Sequence, residues 1–577
     1  MSGVYFDIVY MTHNSGDSVG RCFDALSQSL LPCDQINIIA VDRGSSDDSV
    51  RMLKAVGETG RFASFKVLEM GGDTGFGSAL NAGFAEGSSG IVCFFDINSE
   101  VFPETLTILF EEIENSDAVT AVWELRRFPY EHPKDYDALT GVTDWCCGGA
   151  FAVRRNVFEE AGGFDGRLFM HMEDIDLSFR IRSLGYKLKY CPKAVILRHE
   201  CGDAEETEKT RYIYGIVNNL MLRYRFGTRR DISAGLKMFH GILSQDGPFK
   251  GSRKALAGLF FRRLARIPPY YFWRFTKAKK QDVSPVFQGF DVYARQREGA
   301  EFRLEKYDGH PLVSVIVRTH ARPAVLKETL ISLRNQTYDN FEIVIVEDGE
   351  ECARRMIDDE FPDLKIRYTA TGGHVGRSAA GNLGMELARG EYLNFLDDDD
   401  LFYADHIETL VQSLKESGMD AAYSLAYETA INVTGGSPYT YEITSCQTRY
   451  HQPFNRLLLL RANYIPIQSI MFKKRLFELY GGLDTALDNQ EDYDMWIRYA
   501  LKTDFVFVPK TTSIYRVPSL DGSKQEREET HWEGFVALRE KIKNYELNMS
   551  AYDAGEEVIR IIEIFENDPA STKPVSS

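Results

Sequence analysis

Four consecutive carboxylates, Asp397-Asp398-Asp399-Asp400, close the apolar run Tyr392-Leu393-Asn394-Phe395-Leu396. Further on stands a second acidic group, Glu491-Asp492-Tyr493-Asp494. The first half of the chain has the same order, with Phe94-Phe95-Asp96-Ile97-Asn98 ahead of Glu173-Asp174-Ile175-Asp176. An acidic cluster at a strand end can hold a hard divalent cation, whose preferred ligands are oxygens. Such a cation offsets the charge that develops on a departing diphosphate. A separate carboxylate can take the proton of an attacking hydroxyl. Two such sets in one chain predict a duplicated catalytic domain.

The elements that must position these groups also recur. Asp7-Ile8-Val9-Tyr10-Met11-Thr12-His13 resembles Val313-Ser314-Val315-Ile316-Val317-Arg318-Thr319-His320, and an amphipathic stretch follows each. A second apolar run ends in Asp42-Arg43-Gly44 in one copy and in Glu347-Asp348-Gly349 in the other. Next come Gly75-Phe76-Gly77-Ser78-Ala79-Leu80-Asn81 and Gly376-Arg377-Ser378-Ala379-Ala380-Gly381-Asn382, and then the runs that carry the acidic clusters. The copies lie roughly 300 residues apart, which means duplicated domains rather than a solenoid. Apolar runs alternating with helical patterns predict an α/β fold with a mostly parallel sheet. Such sheets bind ligands at the carboxyl ends of their strands, where Asp42, Asp96, Glu347, Asp348 and Asp397 fall. The expected organisation is a domain over 1–202, a largely helical connecting region over 203–308 and a second domain over 309–520. C-terminal helices over 521–565 and a disordered tail over 566–577 complete it.

Composition bounds the partners. The 577 residues, 44% hydrophobic and 12% aromatic, suit several ordinary globular cores. A net charge of −18 speaks against nucleic acid as a partner. Nine cysteines without a CxxC pattern read as reduced thiols of a cytoplasmic protein. Neither a signal peptide nor a membrane-spanning run is expected. One basic segment opposes the acidic background. Arg253, Lys254, Arg262, Arg263, Arg266, Arg274 and Lys277 are interleaved with Phe260, Phe261, Tyr270, Tyr271, Phe272, Trp273 and Phe275, and no acid falls between Arg253 and Lys280. It suits peripheral contact with the inner face of the cytoplasmic membrane through 253–280, or an anionic lipid-linked acceptor. Its other reading is a helical pair packing aromatics between the domains.

Both halves resemble inverting glycosyltransferases of family 2, with the Rossmann-like GT-A fold, over about residues 4–200 and 311–516. The first copy, with Gly162-Gly163-Phe164-Asp165, Phe169 through Leu177, Arg180 and Gly185-Tyr186, is similar to rhamnosyltransferase-like members. The second resembles general polysaccharide enzymes of the family. The resemblance implies a nucleotide-diphosphate sugar as donor and a saccharide, free or polyprenyl-diphosphate-linked, as acceptor. It implies Mg2+ or Mn2+ as cofactor. Asp397 and Asp399 match the DxD motif, with Asp400 as a helper and Asp398 beside the donor. Asp492 matches the catalytic base, with Glu491 orienting substrate or perturbing it. Asp348, Glu347 and Thr319 match the nucleotide contacts. In the first copy Asp174 takes the base position beside Glu173, and Thr12, Asp42 and Asp96 take the donor positions. Metal ligands there would be Asp96, Asn98 and the late His199. Asn98 is a weaker ligand for a hard cation than a carboxylate. The second copy lacks that late His, and Arg516 could bind diphosphate instead.

The expected function is a bifunctional transferase building a bacterial surface polysaccharide such as O-antigen or capsule. One alternative keeps catalysis in the second domain only, with the first binding acceptor or regulating. A nucleotidyltransferase is a rival of another class, but it usually shows a GxGxRxxP start that is absent here. A non-catalytic nucleotide-sugar-binding scaffold is a further rival, and the Glu-Asp pairs kept in both halves speak against it.

Overall fold

A computed structural model of the chain describes residues 4–567 apart from 73, 133, 200–203, 246, 276–282, 284, 291–295, 300–308, 488 and 520; the side chains of 204, 521–531 and 565–567 are outside that description. The expected tail beyond Asn567 and part of the basic segment, including Lys277, Lys279 and Lys280, also lie outside the described residues. The chain divides into two compact units, Met1–Arg303 and Leu304–Ser577.

In the first unit the strands are β1 (Phe6–Thr12), β2 (Ile36–Asp42), β3 (Ser64–Glu69), β4 (Ile91–Asp96), β5 (Ser99–Val101), β6 (Thr120–Phe128), β7 (Val142–Thr143), β8 (Ala150–Arg154) and β9 (Lys187–Arg198). In the second they are β10 (Val313–Thr319), β11 (Phe341–Glu347), β12 (Ile366–Ala370), β13 (Tyr392–Phe395), β14 (Leu401–Phe402), β15 (Ala421–Gly436), β16 (Tyr439–Thr448), β17 (Ile470–Lys473) and β18 (Phe505–Pro518). The sheet orders are β3-β2-β1-β4-β8-β6-β9-β5 and β12-β11-β10-β13-β17-β15-β18-β14, the same path twice. They differ at one strand: β7 pairs with β9, whereas its counterpart β16 pairs with β15. Each sheet is mixed. The first four strands of each path are parallel, and β8 and β17 run against both neighbours.

The parallel strands are apolar on both sides because helices cover both faces. Phe6, Ile8 and Tyr10 pack with Val19, Phe23 and Leu26, while Val9 packs with Ala79 and Leu80 on the other side. Val313, Val315 and Val317 meet Leu326, Leu330 and Leu333, and Ile316 meets Met385 opposite. Helices Phe76–Ala85 and Arg377–Leu387 lie so close that only glycine fits at one point. A Cβ on Gly83 would stand 2.5 Å from Val9, and one on Gly384 would stand 2.5 Å from Ile316.

The connecting helices Ala204–Phe226, Arg229–Leu243, Ser252–Arg263 and Ile267–Trp273 belong to the first unit. Ile216, Val217, Leu220 and Met221 pack with Phe239, Leu256, Leu259, Tyr270 and Leu168. Among the described residues, no helix is long and apolar enough to cross a membrane.

Candidate active site

In the second unit the parallel register carries β10 past the end of β13, so that Arg318 meets Asp397. The guanidinium grips the carboxylate with two bonds of 2.7 Å and reaches Glu491 Oε1 at 3.1 Å with its third nitrogen. Burial raises the Asp397 carboxyl, but Arg318 outweighs it and holds the group below the usual carboxylate range. Asp398 is fully buried; it accepts from Thr319 Oγ1 at 2.6 Å and pairs with Arg322. Burial pushes its carboxyl up to about 7, with Arg322 pulling back. Arg322 also reaches Asp399 at 3.2 Å. Asp400 accepts the backbone N–H of Arg516 at 3.0 Å, and burial together with Asp399 and Asp397 pushes it well above its ordinary value.

The base candidate opens a helix in both units. Glu491–Ala500 starts behind Gln490, whose φ of 65° is left-handed, and Glu173–Ser183 starts behind Met172 with φ 71°. Asp492 Oδ1 accepts from Tyr493 N at 2.7 Å, and among the described residues its Oδ2 has only a long contact of 3.4 Å with Asn463 Nδ2. Burial first, then Glu491, raises the Asp492 carboxyl to about 7. Asp174 accepts from Ile175 N at 2.8 Å and from Gly148 N at 2.7 Å.

Each helix is fastened by the carboxylate two residues past the base candidate. Asp176 pairs with Arg180 at 2.8 Å and with Arg225 of the connecting helices. Asp494 pairs with Arg498 at 2.9 Å, with Lys541 of the helix Asp521–Ile542 at 2.8 Å and with Tyr545 just beyond it at 2.6 Å. Asn81 and Asn382 each clamp the loop before the helix by two bonds. Asn81 bonds Phe164 at 2.8 and 2.9 Å, and Asn382 bonds Leu483 at 2.8 Å twice. In the first unit the approach to the helix is left-handed at Phe169, His171 and Met172. Asn218 Nδ2 holds it by donating to the carbonyls of Leu168, Met170 and His171 at 3.1, 2.7 and 2.7 Å.

The expected nucleotide carboxylates lie at the ends of β2 and β11. Asp348 accepts from Val375 N at 2.6 Å and Gly376 N at 3.0 Å, and His374 contacts it at 2.8 Å. Glu347 is buried and satisfied by Ala321 N, Ala353 N and Tyr368 Oη at 2.8, 3.1 and 2.7 Å. Asp42 accepts from Gly44 N at 3.0 Å, Ser45 N at 2.9 Å and Ser45 Oγ. His320, Asp348 and His374 each bring one ligand atom within 4.8 Å of the others; among the described residues this is the one such group of three.

Four replacements separate the first unit's site from the second's, one of them Ser99 in place of Asp400. Met11 stands opposite Asp96 where Arg318 faces Asp397. Ile97 replaces Asp398, and Asn98 replaces Asp399. Accordingly Thr12 Oγ1 and Glu173 Oε2 are buried without hydrogen-bond partners among the described residues. Burial and then Asp174 raise the Glu173 carboxyl to about 8. Asp96 faces Arg198 at 3.5 Å, and His199 Nε2 bonds Glu100 Oε1 at 2.6 Å across the β5–β9 ladder.

Arg318 and Arg322 were not singled out from sequence. A lone arginine inside an apolar strand ahead of Thr-His was the available signal for the first. Arg516 is engaged by Glu328 at 2.6 Å and Tyr441 at 2.9 Å. The expected cation ligands Asp397, Asp399 and Asp400 are oxygen donors of the kind a hard cation takes, but among the described residues they do not form a group of three with ligand atoms within 4.8 Å of one another. Among the described residues, Asp399 Oδ1 and Asp400 Oδ2 accept no hydrogen bond, and burial first, then Asp399 and Asp397, raises Asp400. Asp397 is less available, since Arg318 occupies both its oxygens.

Both copies match the model of "Glycosyl transferase family 2", over residues 7–162 and 314–478, more than half of the chain. The chain belongs to glycosyl transferase family 2, with one family match in each unit. An uncharacterized protein, y4gI, of Sinorhizobium fredii is 31% identical over 228 residues, covering 37% of this chain and 24% of that protein. An uncharacterized glycosyltransferase of Haemophilus influenzae is 27% identical over 253 residues, 41% of this chain and 82% of that one. Among solved structures, Staphylococcus aureus TarS 1-349 shares 16% identity over 46% of this chain and 75% of its own, with a TM-score of 0.33. A mannosyltransferase of Pyrobaculum calidifontis, solved with GDP-Man and Mn2+, shares 15% identity over 47% of this chain and 84% of its own, with a TM-score of 0.33.

Proposed function

We propose that each unit transfers a sugar, with inversion, from a nucleotide-diphosphate donor to a hydroxyl of a growing bacterial surface polysaccharide. The observation that carries this reading is the recurrence of one carboxylate, Asp174 and Asp492, at the same place in two units with the same strand path. Each heads a helix and is fixed through the aspartate two residues on. Asp492 Oδ2 would receive the acceptor's proton, and a carboxyl near pH 7 is matched to that task. Attack opposite the leaving diphosphate gives inversion. Asp348, beside the Val375–Gly376 turn, would contact the nucleoside. Asp399 and Asp400, with Asp397 if Arg318 yields it, would hold Mg2+ or Mn2+, which would offset charge on the departing diphosphate. In the first unit Asp96, Asn98 and His199 would be the corresponding ligands, although Asp96 faces Arg198 and His199 bonds Glu100. Two sites on one chain raise the effective concentration of the first product at the second.

A second reading, with transfer in the second unit only, is favoured by Asn98 and by the Arg198–Asp96 contact. Phe261, Phe272 and Phe275, 67%, 64% and 66% exposed beside the exposed Arg262 and Arg266, support contact with an anionic membrane or lipid-linked acceptor.

A panel of nucleotide sugars, assayed with Mg2+, with Mn2+ and with chelator, tests the proposal through nucleotide release and product mass. Metal-dependent release with at least one donor is expected. No release with any donor contradicts it.

A further inference from the structure

The second unit carries a hairpin without a counterpart among the first unit's described residues. Strands β15 and β16 pair from Tyr427–Thr448 out to Gly436–Tyr439, whereas the counterpart of β16 is two residues long and pairs elsewhere. Strand alternation puts Tyr439, Tyr441 and Ile443 on one face. The two tyrosine rings lie 5.4 Å apart at 42° and are half-buried, while Ile443 is exposed. Arg516 backs the pair, its guanidinium 4.5 Å from the Tyr441 ring centre and 5.9 Å from that of Tyr439. Arg516 is itself buried and fixed by Glu328 at 2.6 Å and by the Tyr441 hydroxyl at 2.9 Å. Its backbone N–H donates to Asp400, which ties the platform to the acidic cluster. Asp399 and Arg322 are among the charges that act on the Tyr439 hydroxyl.

We propose that Tyr439 and Tyr441, mounted on Arg516, form a subsite of the second unit that stacks a pyranose ring of the acceptor saccharide beside the acidic cluster. The chemistry is that of a carbohydrate. The negative faces of aromatic rings attract the polarised C–H groups of a sugar's apolar side, and the Tyr439 hydroxyl can serve its ring hydroxyls. The donor's nucleoside belongs elsewhere. Asp348 follows β11, and in the sheet order β10, β13 and β17 separate that strand from β15 and β18, which carry the platform. With no such hairpin among the first unit's described residues, the subsite is specific to one of the two transfers. This inference rests on the transfer reading of the second unit.

Saturation-transfer NMR on the full chain, with methyl β-glycopyranosides and short oligosaccharides as probes, tests it without requiring turnover. The wild type should saturate the axial C–H protons of at least one sugar. Tyr439→Ala combined with Tyr441→Ala should weaken binding about tenfold, as two lost stacking contacts imply. Tyr439→Phe should retain stacking, which separates loss of the ring from misfolding. In the transfer assay the acceptor KM should rise in the double variant with the donor KM unchanged. Equal saturation in the double variant, or none in the wild type, overturns the platform. Nucleotide release that is normal with an unmoved acceptor KM overturns the platform alone, whereas no release by the wild type overturns the transfer reading as well.

Discussion

Replacing Arg318 by methionine, the residue the first unit carries at the matching position, isolates what the arginine does. Arg318 is 7% exposed and is shared between Asp397, at 26% side-chain exposure, and the buried Glu491. Removing one partner of a buried ion pair costs about 3–5 kcal/mol because the remaining charges stay buried. The partial exposure of Asp397 places the expected loss near the lower end, about 3 kcal/mol. For a domain of this size that is a fall in Tm of about 6–12 °C. The effect should depend on pH with a definite sign. Arg318 holds the Asp397 carboxyl below its ordinary value, so its contribution is present above the unfolded-state pKa and is lost as pH falls through the folded one. In the variant, Asp397 takes up a proton more readily on acidification. The gap in Tm between wild type and Arg318→Met should therefore be widest near neutrality and narrow toward about pH 4. Differential scanning calorimetry of the full chain from pH 4 to 8, following the second unit's transition, measures it. An unchanged Tm at pH 7, or a gap that widens on acidification, refutes the reasoning.

Other outcomes follow from the same geometry. With the Asp492 carboxyl raised to about 7, kcat/KM of the second unit should rise with pH through that value and level off above it, since a base must be ionised. A profile falling through pH 7 would assign Asp492 an acid's role. The Glu173 carboxyl, raised to about 8, contributes stability that is full below its unfolded pKa and lost as pH rises through 8. Glu173→Gln should therefore stabilise the first unit at pH 8 relative to wild type and much less at pH 5, as thermal melts at both values would show. Asn218→Ala removes three bonds to the left-handed approach to Asp174 and should lower the first unit's turnover at least about tenfold if that approach shifts. Unchanged turnover would mean that the turn holds without it.

The repeat was legible because apolar runs and strand-end acids recur at one spacing, and that spacing reappears as one strand path traversed twice. Asn81 and Asn382, whose role was open in the sequence, prove to be paired clamps on the loop before each base candidate. The cations were harder to find. Arg318 and Arg322 reach their carboxylates across 79 and 76 residues, and no local pattern announces a partner at that distance. The arginine at Arg516 was visible, but its engagement by Glu328 of the helix Pro323–Arg334 and by Tyr441 of the hairpin depends on tertiary placement that no local pattern gives. The connecting region read as a helical linker. Its fastening to Leu168–His171 through Asn218 rests on backbone carbonyls, which every residue possesses and no sequence marks.

The most direct test compares the products of wild type, Asp174→Asn and Asp492→Asn by mass after incubation with donor and acceptor. Loss of one sugar addition in each variant, with a different addition lost in each, is the result predicted for two working sites. A full set of products from Asp174→Asn would contradict transfer by the first unit, and a full set from Asp492→Asn would contradict the base assigned in the second.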